Sequence, residues 1–315
     1  HRIMNTAYIY KNLKSCFVLL MLMLTKEVIA QQDPHYTQYM FNTMSINPAY
    51  AGSTGSLQAL LLYRSQWVGV DGAPETQNFS MHSPLRNEKM GLGLNIVNDK
   101  LGPSSEVFAD ANFSYTIQTG YYTKLAFGVK GGARVLNVDW SKGRFYDPED
   151  VLLNNNIDSR IMPSLGAGAY WYSDRWYIGA SIPNFIRSDY YDDIQEAVLS
   201  NRLHYFIMGG YVFDINRNLK LKPAFLVKAV SGAPVSVDVS ANFLLQEFLN
   251  LGAAYRWNDS VSLLAGFQIS RSLFVGYSYD YTTTDFTKYN DGTHEILLRF
   301  DLLKGNNKIK SPRFF

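Results

Sequence analysis

The stretch EVFADANFSYTI, residues 106–117, decides how this chain is read. Val107, Ala109, Ala111, Phe113, Tyr115 and Ile117 alternate with Glu106, Phe108, Asp110, Asn112, Ser114 and Thr116. A period of two marks a strand with one apolar and one mostly polar face. The same alternation recurs in Val235, Val237, Val239, Ala241, Phe243 and Leu245, and again in Leu273, Val275, Tyr277, Tyr279 and Tyr281. Fourteen such runs fill the chain: 57–68, 75–83, 88–98, 105–118, 121–136, 161–173, 175–183, 203–214, 219–230, 234–246, 248–257, 260–270, 272–282 and 292–303. Helical spacing is confined to the region around Ile194–Leu199.

Alternation alone also fits a water-soluble β-sandwich. Three features favour a transmembrane antiparallel β-barrel, with twelve or sixteen strands as the other counts. The runs reach about ten residues, the length a tilted strand needs to cross hydrocarbon. Their polar faces are crowded with small residues, as in Leu165-Gly166-Ala167-Gly168-Ala169. Aromatics gather at run ends (Tyr121 and Tyr122; Tyr170, Trp171 and Tyr172; Trp176 and Tyr177), where a bilayer interface holds them. Leu92, Phe113, Phe127, Phe243, Leu263 and Val275 are therefore expected to face lipid. Asp110, Lys222, Asp238 and Asp280 are expected to face the lumen, because charge on a lipid face is costly.

The connections point the same way. Every second linker is tiny: Thr119-Gly120, Ser173-Asp174, Asp214 to Asn218, Gln246-Glu247 and Ser270-Arg271. Between them fall the long linkers 137–160 and 184–202, and also 283–291. Outer-membrane barrels have short periplasmic turns and longer outside loops, and an even strand number puts both chain ends on the periplasmic side.

The beginning of the chain sets the compartment. Lys11 and Lys14 lead into an apolar run from Cys16 to Leu24, and the stretch closes at Val28-Ile29-Ala30. A basic start, a short apolar core and a small residue read as a cleaved signal peptide, residues 1–30. The run is too short for a transmembrane helix. Cys16, the sole cysteine, would leave with that leader, so no disulfide is expected. The formal charge of +2 also belongs to the leader, because 25 basic and 26 acidic residues lie beyond it. That balance removes the electrostatic case for nucleic acid. The domain reading is a leader 1–30, an N-terminal segment 31–56, a barrel 57–303 and a tail 304–315.

Residues 32–52, QDPHYTQYMFNTMSINPAYAG, fit neither period. About eight strands suffice to fill a barrel with its own side chains, so fourteen leave room inside. An aromatic, proline-fixed segment entering from the periplasm suits that space as a luminal plug. The expected contributors are Tyr39, Phe41, Asn47, Pro48, Ala49 and Tyr50, with Asn47-Pro48-Ala49 making the turn. Proline fixes its own φ and pushes the preceding residue toward extended backbone. A disordered periplasmic tail is the alternative.

These residues resemble the PorP/SprF family of Bacteroidetes outer-membrane proteins, associated with type IX secretion. The markers are Gln38-Tyr39-Met40-Phe41-Asn42, Ile46-Asn47-Pro48-Ala49-Tyr50-Ala51-Gly52, Ser181-Ile182-Pro183-Asn184 and Leu221-Lys222-Pro223. Gly276-Tyr277-Ser278-Tyr279-Asp280-Tyr281, His294-Glu295-Ile296 and the tail Ser311-Pro312-Arg313-Phe314-Phe315 complete them. The resemblance implies a non-enzymatic role in exporting or anchoring large surface proteins such as gliding adhesins, with type IX secretion components as partners. The Asn-Pro-Ala element is also similar to the FadL family, whose N-terminal segment plugs a fourteen-stranded barrel. That likeness implies a channel for small hydrophobic solutes, the second functional class. One departure from many barrels is the stretch Lys304 to Phe315 after the last run.

Chemistry is sparse. His35, His82, His204 and His294 have no metal-ligand spacing, and His294-Glu295 lacks the second histidine of a zinc protease. No catalytic residue, cofactor or metal ligand is expected. Gly91-Leu92-Gly93 lacks the third glycine of a dinucleotide loop. Ser278 and His294, on neighbouring runs, are a lipase pair only if they share the lipid face. Ser188 to Asp193 reads as a solvated acidic loop before it reads as a calcium site. Lys222, Asp238 and Asp280 are the luminal polar candidates, read either as a salt-bridge lattice bracing the wall or as a contact surface for the plug or an exported chain.

Overall fold

The computed structural model describes residues 34–142, 156–186, 203–230 and 233–302. The leader, the tail from 303 onward, the acidic loop 188–193 and the Ile194–Leu199 region lie outside the described residues.

The strands are β1 (Leu57–Ser65), β2 (Glu75–Pro84), β3 (Met90–Leu101), β4 (Ser104–Gln118) and β5 (Lys124–Val138). They continue as β6 (Ile157–Tyr172), β7 (Trp176–Ile182), β8 (His204–Tyr211), β9 (Phe213–Asn216) and β10 (Leu219–Val230). The last are β11 (Ser236–Leu245), β12 (Leu249–Arg256), β13 (Ser260–Gln268), β14 (Leu273–Thr282) and β15 (Thr293–Leu302). Strands pair antiparallel with their sequence neighbours, except that β8 and β9 both pair with β10 and together make one stave interrupted at Val212. β1 pairs with β15 from Leu57↔Leu302 to Ser65↔His294, which closes a ring of fourteen staves. Closure matters because an open edge in hydrocarbon leaves a row of backbone groups unpaired.

The alternation read from the sequence is the alternation observed. Leu92, Phe113, Phe127, Phe243 and Leu263 are exposed on the outer wall, Leu263 at 64 %, and Val275 is half-buried on the same face as exposed Tyr277. Asp110, Lys222, Asp238 and Asp280 are all buried inside. Exposed aromatics stand at both rims, with Trp171 edge-on to half-buried Trp176 at one and Trp257 and Tyr289 at the other, whereas Tyr170, Tyr172 and Tyr177, expected at the interface, are buried inside. Several strands run further than the sequence suggested: β3 reaches Leu101, β5 reaches Val138 and β6 starts at Ile157. The β5–β6 pairing Val138↔Ile157 shortens the longest connection, because a bulge between Leu136 and Val138 lets the ladder continue.

A cysteine at Leu92, Phe127 or Leu263 should resist a water-soluble thiol reagent in native membranes and yield to a lipid-soluble one. Strong aqueous labelling of all three would overturn the register.

Candidate functional site in the barrel lumen

Residues 34–52 lie within the ring, against the inward faces of the wall. Their backbone forms irregular turns, a four-residue helix Thr43–Ile46 and a 3-10 turn Pro48–Tyr50. The segment descends from the end of the barrel with the long loops to the end with the short turns, where it enters β1. Two kinds of contact hold it.

At the long-loop end the contacts are electrostatic. The Glu295 carboxylate, fully buried, accepts from the backbone N–H groups of Thr37 (3.0 Å) and Gln38 (2.9 Å). Arg64 donates to Glu295 and to Asp280, each at 2.9 Å, and also to the Thr37 hydroxyl at 2.9 Å. The Thr37 hydroxyl donates to Asp280 at 2.6 Å. One guanidinium thus sits between two carboxylates, and the segment supplies the donors those carboxylates still need. Paired and hydrogen-bonded in this way, buried charge is tolerated. Beside this cluster Arg256 donates to Asp238 at 2.8 Å, and His35 Nε2 lies 3.1 Å from the other Asp238 oxygen.

At the short-turn end the contacts are steric. Asn47 has extended backbone (φ −129°, ψ 110°), as a residue before proline must, and its side chain accepts from the Ala49 N–H at 3.0 Å. Its amide donates to the Ala169 carbonyl of β6 at 2.9 Å, and Ser114 Oγ donates to the Ala51 carbonyl at 2.6 Å. The wall here lacks side chains: a Cβ at Gly91 would collide with the Ala51 carbonyl oxygen, at Gly128 with the Ala49 backbone nitrogen and at Gly168 with Asn47 Oδ1. Gly128 and Gly168 face each other across β5 and β6. Glycine permits this backbone-to-wall approach.

The site residues read from the sequence converge here. Tyr39 reaches Ser240 at 3.3 Å, and Tyr50 packs edge-on to His82 and Tyr170. Phe41 lies on Phe274 at 5.1 Å, with the Lys222 ammonium 5.4 Å from its ring. Asn47, Pro48 and Ala49 form the seat just described. Asp238 and Asp280 are joined to Arg256 and Arg64, and the Lys222 ammonium lies against the aromatic middle of the segment. Sequence reasoning did not single out Arg64 as a site residue, and Glu295 entered only as part of the His294-Glu295-Ile296 marker. Arg64 on the inward face of β1 was the available signal, since a charge in a membrane strand points to the lumen. Ser278 and His294 do not meet. Ser278 is buried inside, whereas His294 sits on the outer wall with its Nδ1 2.7 Å from the Tyr277 hydroxyl.

His35 lies outside the membrane-crossing strands, and its ring is pushed down to about 4, chiefly by burial and then by Arg256, with Asp238 opposing. A ring that is neutral when docked and ordinary when released makes docking strongest above pH 6.5. Docking weakens as pH falls toward about 4, because only the released ring then binds a proton. In a Met40→Cys protein, labelling by a pyridyl disulfide should therefore rise between pH 6.5 and 4. His35→Gln should remove that part of the rise, and an unchanged profile would refute the assignment.

No curated protein sequence matches the chain. Among solved structures it is similar to a Pseudomonas aeruginosa FadL homologue, with 13% identity, TM-score 0.48 and coverage of 85% of this chain and 95% of that one. It is also similar to the Acinetobacter baumannii outer membrane protein Omp33, with 9% identity, TM-score 0.45 and coverage of 79% and 100%. The family described as type IX secretion system membrane protein PorP/SprF matches residues 28–300. With markers, barrel and outer-membrane wall in agreement over nearly the whole chain, this protein belongs to the PorP/SprF family of type IX secretion membrane proteins.

Proposed function

We propose that this outer-membrane component of type IX secretion works by docking protein, as a non-enzymatic barrel whose own N-terminal segment plugs the lumen. Its partner is an exported, adhesin-like surface protein or the periplasmic motor scaffold. The observation that carries the reading is the seat at Gly128 and Gly168, where the Pro48–Ala49 backbone and the Asn47 side chain pack directly on a wall that lacks side chains. A channel for small hydrophobic solutes needs an apolar pocket of a few hundred Å³. One cavity of the described lumen measures about 50 Å³, well short of that, and mixes apolar side chains such as Ile46, Val97 and Phe108 with the charged Asp110, Lys130 and Arg134. Affinity purification of the full chain from native outer membrane tests the reading. Recovery of a large secreted protein or of periplasmic ring components supports it. Absence of any protein partner, with loss of hydrophobic-compound uptake in a deletion strain, would replace it with the solute channel.

A further inference from the structure

The outer wall carries an interruption that neither the luminal segment nor protein docking explains. Across the register one lipid-facing row runs Ile296, Tyr63, Gln77, Asn98, Val107, Val135. Gln77 and Asn98 are direct cross-strand partners, and they are the carboxamides in an otherwise apolar and aromatic row. Among the described residues neither side-chain amide meets a protein hydrogen-bond partner. An unpaired amide facing hydrocarbon is costly, so these two require a polar group from outside the protein. One step nearer the long-loop end the same two strands pair Glu75 with Lys100, both exposed, which marks the level where the wall becomes polar.

Directly on the midplane side of the carboxamides the wall is concave. A groove of about 450 Å³ opens outward, walled by Leu61, Tyr63, Phe79, Ile96, Ile296 and Leu298, with Gln77 and Asn98 at its rim. The two observations are independent, one from register and one from shape, and they coincide. An apolar trough ending at two amide donors just below the polar boundary matches an acyl chain joined to a carbonyl-bearing linkage.

We infer that this groove binds one lipid A-type glycolipid, the acylated lipid of the outward leaflet at the long-loop end. One acyl tail lies between Leu61, Phe79 and Leu298, and an ester carbonyl accepts from the Gln77 and Asn98 amides. The site adds a bound lipid to the barrel surface at β15, β1, β2 and β3 and leaves the lumen untouched.

The test is native mass spectrometry of the delipidated full-length protein in mild detergent, titrated with purified lipid A. A single tightly held lipid per barrel is expected. Leu61→Trp with Leu298→Trp fills the trough and should abolish that adduct. Gln77→Leu with Asn98→Leu keeps the trough but removes two hydrogen bonds, so affinity should fall about tenfold. Val129→Trp with Leu263→Trp, on exposed wall elsewhere, should change nothing. All substitutions lie on the lipid face, and unchanged heat-modifiable gel migration confirms that each barrel is folded. A statistical spread of lipids, with the same occupancy in all variants, would mean annular lipid only and overturn the inference.

Discussion

Replacing Gly128 with valine should give a folded barrel that conducts ions more readily than the parent protein. A Cβ at this position meets the Ala49 backbone nitrogen and Cα and the Pro48 carbonyl carbon. Backbone cannot swing away as a flexible side chain can. Ordinary overpacking costs about 1–3 kcal/mol, and a clash with backbone on both sides falls at or above the top of that range. The segment yields first, because the wall on either side is locked by the β4 and β6 ladders. Single-channel recording in a planar bilayer reads the outcome. Gly131→Val is the control on the same strand, because its nearest neighbour is the Leu165 side chain at 3.5 Å and nothing must move. A silent Gly128→Val channel would mean that the lumen is closed by something other than the Asn47–Ala51 seat.

The second large effect concerns the electrostatic end. Glu295→Ala should destabilise the protein by about 3–5 kcal/mol, the cost of breaking a buried ion pair by removing one partner. Arg64 then keeps only Asp280 as a carboxylate partner, and the Thr37 and Gln38 N–H groups lose their acceptor. Heat-modifiable gel migration against temperature measures the loss. Replacing Arg64 by methionine and both Asp280 and Glu295 by leucine should recover most of that stability, since apolar residues of similar volume substitute well for a buried charge cluster. The recovered barrel should still release residues 34–42, seen as new reactivity of Met40→Cys, because those two N–H groups remain unpaired. If the triple replacement leaves Met40→Cys protected, the carboxylates do not hold the segment.

The two ends also explain which parts of the site were legible. Lys222, Asp238 and Asp280 could be placed inside from sequence because charge and alternation leave one choice of face. Their partners could not be named. Arg64 and Asp280 are 216 positions apart, and Thr37 and Glu295 are 258 apart, so only ring closure between β1 and β15 brings them together. Glycine on an inward face read as general crowding; that Gly128 and Gly168 form one seat followed from their pairing across β5 and β6.

By itself the sequence determined the strand runs, their inward and outward faces and the membrane setting, because each follows from short-range alternation and from the cost of charge in hydrocarbon. It also marked residues 32–52 as a segment outside the strand pattern, and Pro48 set the local backbone at Asn47. The tertiary structure alone decided where that segment lies, which carboxylate caps which N–H, and that Gln77 and Asn98 sit together above a groove. Those facts depend on strand register and ring closure. Register is a long-range property: shifting one strand by two residues keeps every face and every alternation intact, yet gives each side chain a new neighbour.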